Sequence, residues 1–284
     1  MRRSALLALA LVTAVPVLLA GCGSSSSGSS AIATSAPPAS SNPSASAADS
    51  ASASASGGTA LSGSITVLAA SSLTGAFTTL GKQFEAAHPG TTVTFSFGAS
   101  SALATQITQG APADVFASAS AKNMDAVVAA QGADTPTTFV KNVMEIVVPP
   151  KNPAHIAALA DLARSGVKVA LCQAAVPCGA TAEKVFANAK ITVKPVTREA
   201  DVKSTLAKVE LGEVDAGVVY VTDVLAAKDK VVGIPIPDAV NASTSYPIAT
   251  LTATRNADLA KAFVAYVLSA DGATVLTTAG FAKP

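Results

Sequence analysis

Two serine-bearing joints between a strand-like run and a helix-like run constrain the fold of this chain more than any other feature. Within Ser64 to Glu85, Ile65, Val67 and Leu68 make a short β-branched and apolar run. After Ser71 and Ser72 the apolar residues Leu73, Phe77, Leu80 and Phe84 recur at helical spacing. Thr92 to Phe97 is a second strand-like run, and Gly98-Ala99-Ser100-Ser101 then opens a short helix carrying Leu103 and Ile107 and ending at Gly110. A helix starts with backbone N–H groups that lack an internal partner and with the positive end of its dipole, so a serine there either caps the helix or faces an anion. One such joint reads as a plain cap. The repetition reads as two helix N-termini aimed at one point.

The ends and the charge balance narrow the setting. Nineteen Lys and Arg against 18 Asp and Glu leave a formal net charge of +1, and aromatics make up 4% of the chain. With no basic patch, nucleic acid is a poor partner, because phosphate backbones demand clustered Lys and Arg. Residues 1–21 read as a signal peptide, with Arg2 and Arg3 ahead of an apolar run from Ala5 to Leu19. The following Leu19-Ala20-Gly21-Cys22 resembles a lipoprotein processing site, which implies lipid on Cys22 and an extracytoplasmic protein anchored to the cell membrane. Residues 22–62 are nearly all Ser, Ala, Gly, Pro and Thr, too poor in large apolar groups to offset their ordering entropy. They are expected to form a tether with a span of roughly 35 Å.

The rest of the chain alternates strand patterns with helical periodicity, which favours an α/β architecture long enough for two lobes. Expected strands include Val115-Phe116, Val143 to Val148, Val167 to Leu171, Ala216 to Val221, Ile234 to Pro237 and the segment Tyr246 to Leu251. Expected helices include Lys122 to Ala130, a short one at Leu159 to Ala163, one from about Ala180 to Ala189, Asp201 to Val209 with Asp201 as its cap, one opened by Thr222-Asp223, and a final helix from Asp258 to Leu268. Cys172 and Cys178, outside the cytoplasm and with five residues between them, most simply form a disulfide that pins their loop. A metal site is the alternative, and it would need His88 and His155, which lie in unrelated segments. Tyr220 is either core or a ligand group, since ligands of open α/β sheets collect beyond the carboxyl ends of strands.

Taken together, Ala69-Ala70-Ser71-Ser72-Leu73-Thr74, Phe97-Gly98-Ala99-Ser100-Ser101, Gly110-Ala111-Pro112-Ala113-Asp114-Val115-Phe116-Ala117-Ser118-Ala119, Val176-Pro177-Cys178-Gly179 and Gly217-Val218-Val219-Tyr220 fall in the order found in molybdate-binding proteins. The resemblance spans residues 64–284, and the run around Asp114 is its most specific piece. It implies a two-lobed type II periplasmic solute-binding fold with two crossings between the lobes, feeding an ABC importer, with a tetrahedral dianion, molybdate or tungstate, held between them. Carried over residue by residue, the ligand groups are Ser72 and Ser100 through hydroxyl and N–H, Cys178 and Val202 through N–H, and Tyr220 through its hydroxyl. Cys178 stands where the family carries alanine; only its N–H is used.

On this reading lobe 1 comprises residues 63–140 plus 247–284 and lobe 2 residues 141–246. The crossings fall near Val140 to Asn142 and Ser245 to Pro247. Neither a cofactor nor a free metal cation is expected, and the chain is expected to be a monomer. A set of neutral donors suits a fully deprotonated oxyanion, sulfate or thiosulfate included, better than protonated phosphate, whose O–H would lack an acceptor. A lipid-anchored enzyme is the remote alternative, without a Gly-x-Ser-x-Gly elbow or a His placed beside a candidate nucleophile.

Overall fold

The computed structural model describes residues 61–284. The expected signal peptide, the lipidated Cys22 and the tether as far as residue 60 lie outside them. The first run is β1 (Gly63–Ala70), α1 (Thr74–Ala87), β2 (Thr91–Gly98), α2 (Ser100–Thr108), β3 (Val115–Ala117) and α3 (Ala121–Ala129). A 3-10 turn, Ser71–Leu73, joins β1 to α1. β1 lies between β2 and β3 and parallel to both. Ile65 and Val67 pack with Phe77 and Phe263 while Leu68 packs with Leu103 and Ile107, so both faces are covered, which is why the three read as a continuous apolar run. The helical spacing seen in Leu73, Phe77, Leu80 and Phe84 is the face of α1 that the sheet buries, each of the four being fully enclosed.

The chain continues through β4 (Thr137–Val148), the short 3-10 stretch Leu159–Ala163, β5 (Val169–Cys172), α4 (Pro177–Ala189), β6 (Thr197–Glu199), α5 (Val202–Glu210), β7 (Ala216–Tyr220), α6 (Val221–Ala227) and β8 (Val232–Pro235). It closes with β9 (Ser243–Thr250), α7 (Ala257–Leu268) and α8 (Ala270–Thr278). Strand order is β2-β1-β3-β9-β4-β7-β5-β6, with β8 on β4. β4 serves both halves of this curled sheet. Its first part pairs antiparallel with β9 from Thr137 to Val143, and its second part pairs with β7 and β8 from Met144 to Val148. β9 in turn pairs with β3 from Ile248 to Thr250.

The buried side chains separate accordingly. One cluster draws on residues from Met144 to Ile236, and two others on residues before Met144 and after Ser245. The α/β fold with two crossing strands is therefore as expected, and β4 and β9 are the crossings.

Local boundaries differ in several places, β9 for one starting at Ser243 and not Tyr246. α4 begins at Pro177, three residues before the expected start, because proline at the first helical position is pre-set for the helix and has no N–H to leave unpaired. β6 was not anticipated, being three residues long and polar in sequence. β4 starts six residues before Val143. The chain also does not end its helices at Leu268, since Ser269 is the C-cap of α7 and the N-cap of α8, its Oγ accepting from the Gly272 N–H at 3.2 Å.

Candidate functional site

Four element starts and one strand end meet in a cleft. Ser72 comes from the 3-10 turn after β1, Ser100 is the first residue of α2, Cys178 the second of α4 and Val202 the first of α5, while Tyr220 ends β7. All five line one cleft, together with Ala70, Ser71, Gly98, Ala99, Ala119, Val176, Pro177 and Asp201. The free space inside it is about 10 Å³, close to what one water-sized particle needs, so the cleft is scaled to a small solute.

Helix geometry leaves the N–H groups of the first turn without intrahelical partners, so Ser100, Cys178 and Val202 each present a donor to the cleft. Asp201 caps α5 as expected, its Oδ1 accepting from the N–H groups of Lys203 (2.8 Å) and Ser204 (3.0 Å), which leaves the Val202 N–H uncommitted by the cap. The Ser100 Oγ accepts from the Ala119 N–H at 2.9 Å. Its own proton is thus free for another acceptor. Ser72 Oγ lies 2.8 Å from the hydroxyl of Tyr246.

Tyr220 is buried, and among the described residues its hydroxyl has no hydrogen-bond partner. An unpaired buried hydroxyl costs roughly 1–3 kcal/mol, so this one is a standing donor for whatever enters the cleft. Burial, foremost, holds its pKa well above the ordinary tyrosine value, so the proton stays on. Behind Tyr220, the fully buried Asp223 accepts from the Tyr220 N–H at 3.2 Å and has the Lys203 ammonium 2.8 Å from its Oδ1. The pair cancels its own charge. Among the described residues no side-chain cation lines the cleft, and an anion there meets oriented dipoles in place of a formal countercharge.

One expectation needs amending, because the lining is not made of donors alone. Asp201 also lines the cleft, brought there by the cap in which its carboxylate accepts from the first N–H groups of α5. Sequence reasoning named Asp201 only as a cap. It also missed Ala119 and Tyr246, for which the sequence carries no local signal. Asp114, the acid of the most specific motif, lies elsewhere: its Oδ2 accepts from the Thr66 N–H at 2.7 Å and its Oδ1 from the Thr254 hydroxyl, tying β1 to the turn after β9. That motif reaches the cleft through Ala119. Cys172 and Cys178 stand with Sγ atoms 2.05 Å apart and Cα atoms 5.8 Å apart. His88 packs on the Phe84 ring at the end of α1 and His155 sits in an exposed turn, so neither joins the cysteines.

Comparison with known proteins gives four findings. A family profile described as bacterial extracellular solute-binding protein matches residues 65–282. The molybdate-binding protein ModA of Mycobacterium tuberculosis is 46% identical over 222 residues, which cover 78% of this chain and 85% of that protein. Among solved structures, a substrate-binding domain attributed to a molybdenum ABC transporter of Clostridium difficile aligns at 30% identity with a TM-score of 0.60, covering 78% of this chain and 99% of its own. The periplasmic molybdate-binding protein of Azotobacter vinelandii aligns at 20% identity with a TM-score of 0.70, covering 78% and 99%, and speaks for the fold alone.

Proposed function

The chain belongs to the family of bacterial extracellular solute-binding proteins, and from that premise we propose that it captures molybdate or tungstate outside the cytoplasm for an ABC importer. The observation that carries the reading is the cleft itself. Helix starts from α2, α4 and α5, the Ser72 turn and an unpaired buried tyrosine hydroxyl converge on a space sized for a small ion. A tetrahedral dianion offers four acceptor oxygens to such a ring of donors, and each hydrogen bond to a charged acceptor is stronger than one between neutral groups. The names of the relatives at 46% and 30% identity agree with this ligand.

In this reading Ser72 and Ser100 give hydroxyl and N–H, Cys178 and Val202 give N–H, and Tyr220 gives its hydroxyl. The lobes divide as residues 63–140 plus 247–284 and residues 141–246, and the anion closes one on the other. The protein is a binding protein, not a catalyst, and works as a monomer. Lipid on Cys22 holds it to the cell membrane through the 22–62 tether, and a Cys172–Cys178 disulfide fixes the loop ahead of α4. No cofactor is required, and the oxyanion is the cargo.

Calorimetric titration with molybdate, tungstate, sulfate and phosphate tests the assignment, phosphate being included because the acidic residue Asp201 also lines the cleft. Molybdate or tungstate is expected to bind at one per chain and more tightly than the other two. Clearly tighter sulfate binding would overturn the ligand assignment, and elemental analysis of the protein as isolated gives an independent check.

A further inference from the structure

We propose that Tyr246 is a positioning residue for the oxyanion, the last member of a side-chain relay running from Thr222 through Asn142 to Tyr246 that sets the direction in which Ser72 gives its proton. The inference rests on the oxyanion reading above. Tyr246 does not line the cleft. It is fully buried on β9, its ring among those of Phe139, Tyr220 and Phe281 at centroid distances of 6.4, 6.2 and 5.4 Å. A phenol in an apolar cage must place its one proton well. Its hydroxyl lies 2.8 Å from Ser72 Oγ and 3.5 Å from Asn142 Nδ2.

The polarity follows from Asn142, which is 2% exposed. Its Oδ1 accepts from the Val143 N–H at 3.0 Å, and its Nδ2 donates to Thr222 Oγ1 at 2.8 Å, so the amide nitrogen is the end that faces Tyr246. An amide nitrogen can only donate. Tyr246 therefore accepts from Asn142 and spends its own proton on Ser72. Ser72 Oγ is then an acceptor on the Tyr246 side, and its proton is released to the cleft. With the opposite polarity the Tyr246 proton could turn only to the Tyr220 hydroxyl beside it, which would then be less free to serve the cleft, and the Ser72 proton would point away from the anion. Burial pushes the Tyr246 hydroxyl well above the ordinary tyrosine range, so it keeps the proton it must give.

The relay also crosses the molecule. Ser72 follows β1, Asn142 and Tyr246 sit on the paired crossing strands β4 and β9, and Thr222 belongs to α6. A ligand hydroxyl of one half is thereby oriented by the strands that join the halves.

A double-mutant cycle on the purified chain tests this, with affinity read by calorimetry. Tyr246→Phe is expected to weaken molybdate binding about tenfold in the parent and to have no further effect on Ser72→Ala, since the lost hydrogen bond acts only through that hydroxyl. Equal losses in both backgrounds would mean a packing effect, and no loss in the parent would mean no positioning; either result overturns the proposal. If Tyr246→Phe does not fold, the uncharged Asn142→Leu takes its place, because without the amide donor nothing commits the Tyr246 proton to Ser72, and a smaller loss with the same dependence on Ser72 is expected. The ligand reading fails separately. A parent that binds sulfate and not molybdate removes the ligand assignment while the cycle, run with sulfate, still decides the role of Tyr246. A parent that binds none of these anions overturns both.

Discussion

Ser100 and Tyr220 illustrate how much of the chemistry rests on where single protons point. The Ala119 N–H occupies a lone pair of Ser100 Oγ, and the Tyr220 hydroxyl has no partner among the described residues. Each of Ser72→Ala, Ser100→Ala and Tyr220→Phe removes one hydroxyl donor and is expected to weaken molybdate binding by about tenfold to a hundredfold in calorimetric titration. Val202→Ala keeps its N–H and is expected to change affinity far less. If Tyr220→Phe, shown folded by circular dichroism, binds as tightly as the parent, the tyrosine is core and nothing more. The ion pair behind it gives a stability prediction. Burial raises the Asp223 carboxyl while Lys203 pulls it back down, so Lys203→Met lets its folded-state pKa rise further. A raised carboxyl contributes stability that is present below the unfolded carboxylate range and lost as pH rises through the folded value. Urea unfolding of Lys203→Met is thus expected to show a loss of about 3 kcal/mol at neutral pH, shrinking toward pH 4.

Among the elements, α4 holds the tightest tolerance. Its start is pinned by Pro177, by Gly179 and by the cysteine pair that joins it to the end of β5. A Cβ on Gly179 would overlap the carbonyl oxygen of Gln173 and stand 2.6 Å from the carbonyl carbon, backbone atoms that cannot rotate aside. Gly179→Ala must therefore push the helix start away from the loop. A loss of roughly 1–3 kcal/mol in unfolding stability is expected, as for other overpacked sites, and a lower molybdate affinity with it, because the Cys178 N–H moves with the helix. Unchanged affinity in a destabilised variant would take Cys178 out of the ligand set. The bridge itself encloses a short loop, so its reduction is expected to cost on the order of 2 kcal/mol. Mass spectrometry without reduction, followed by thermal unfolding with and without a phosphine reductant, checks both statements; two free thiols in the mature protein would refute the bridge.

At the scale of the whole molecule, the cleft draws Ser72 and Ser100 from one side of the crossing strands and Cys178, Val202 and Tyr220 from the other. An anion that bonds donors on both sides favours their approach by its differential affinity for the closed arrangement. The radius of gyration from small-angle scattering is expected to fall when molybdate is added to saturation. No change on saturation would mean that the crossings do not act as a hinge.

Local chemistry is written plainly in the sequence. The buried faces of β1 and α1, the Asp201 cap and the serine joints depend on neighbours a few residues away, and periodicity and capping are rules of that range. The same rules fail where an element is short or shares a residue with another. β6 has three residues, α8 borrows its cap from the end of α7, and α4 begins at a proline that reads equally well as a turn. What no local rule reaches is the meeting of distant groups. The Ser72 and Tyr246 hydroxyls are 174 residues apart and Asn142 and Thr222 are 80 apart, yet both pairs bond at 2.8 Å. Those contacts exist only because β4 and β9 pair across both halves of the sheet, and that pairing, set by packing between residues far apart in sequence, is what the tertiary structure alone decided.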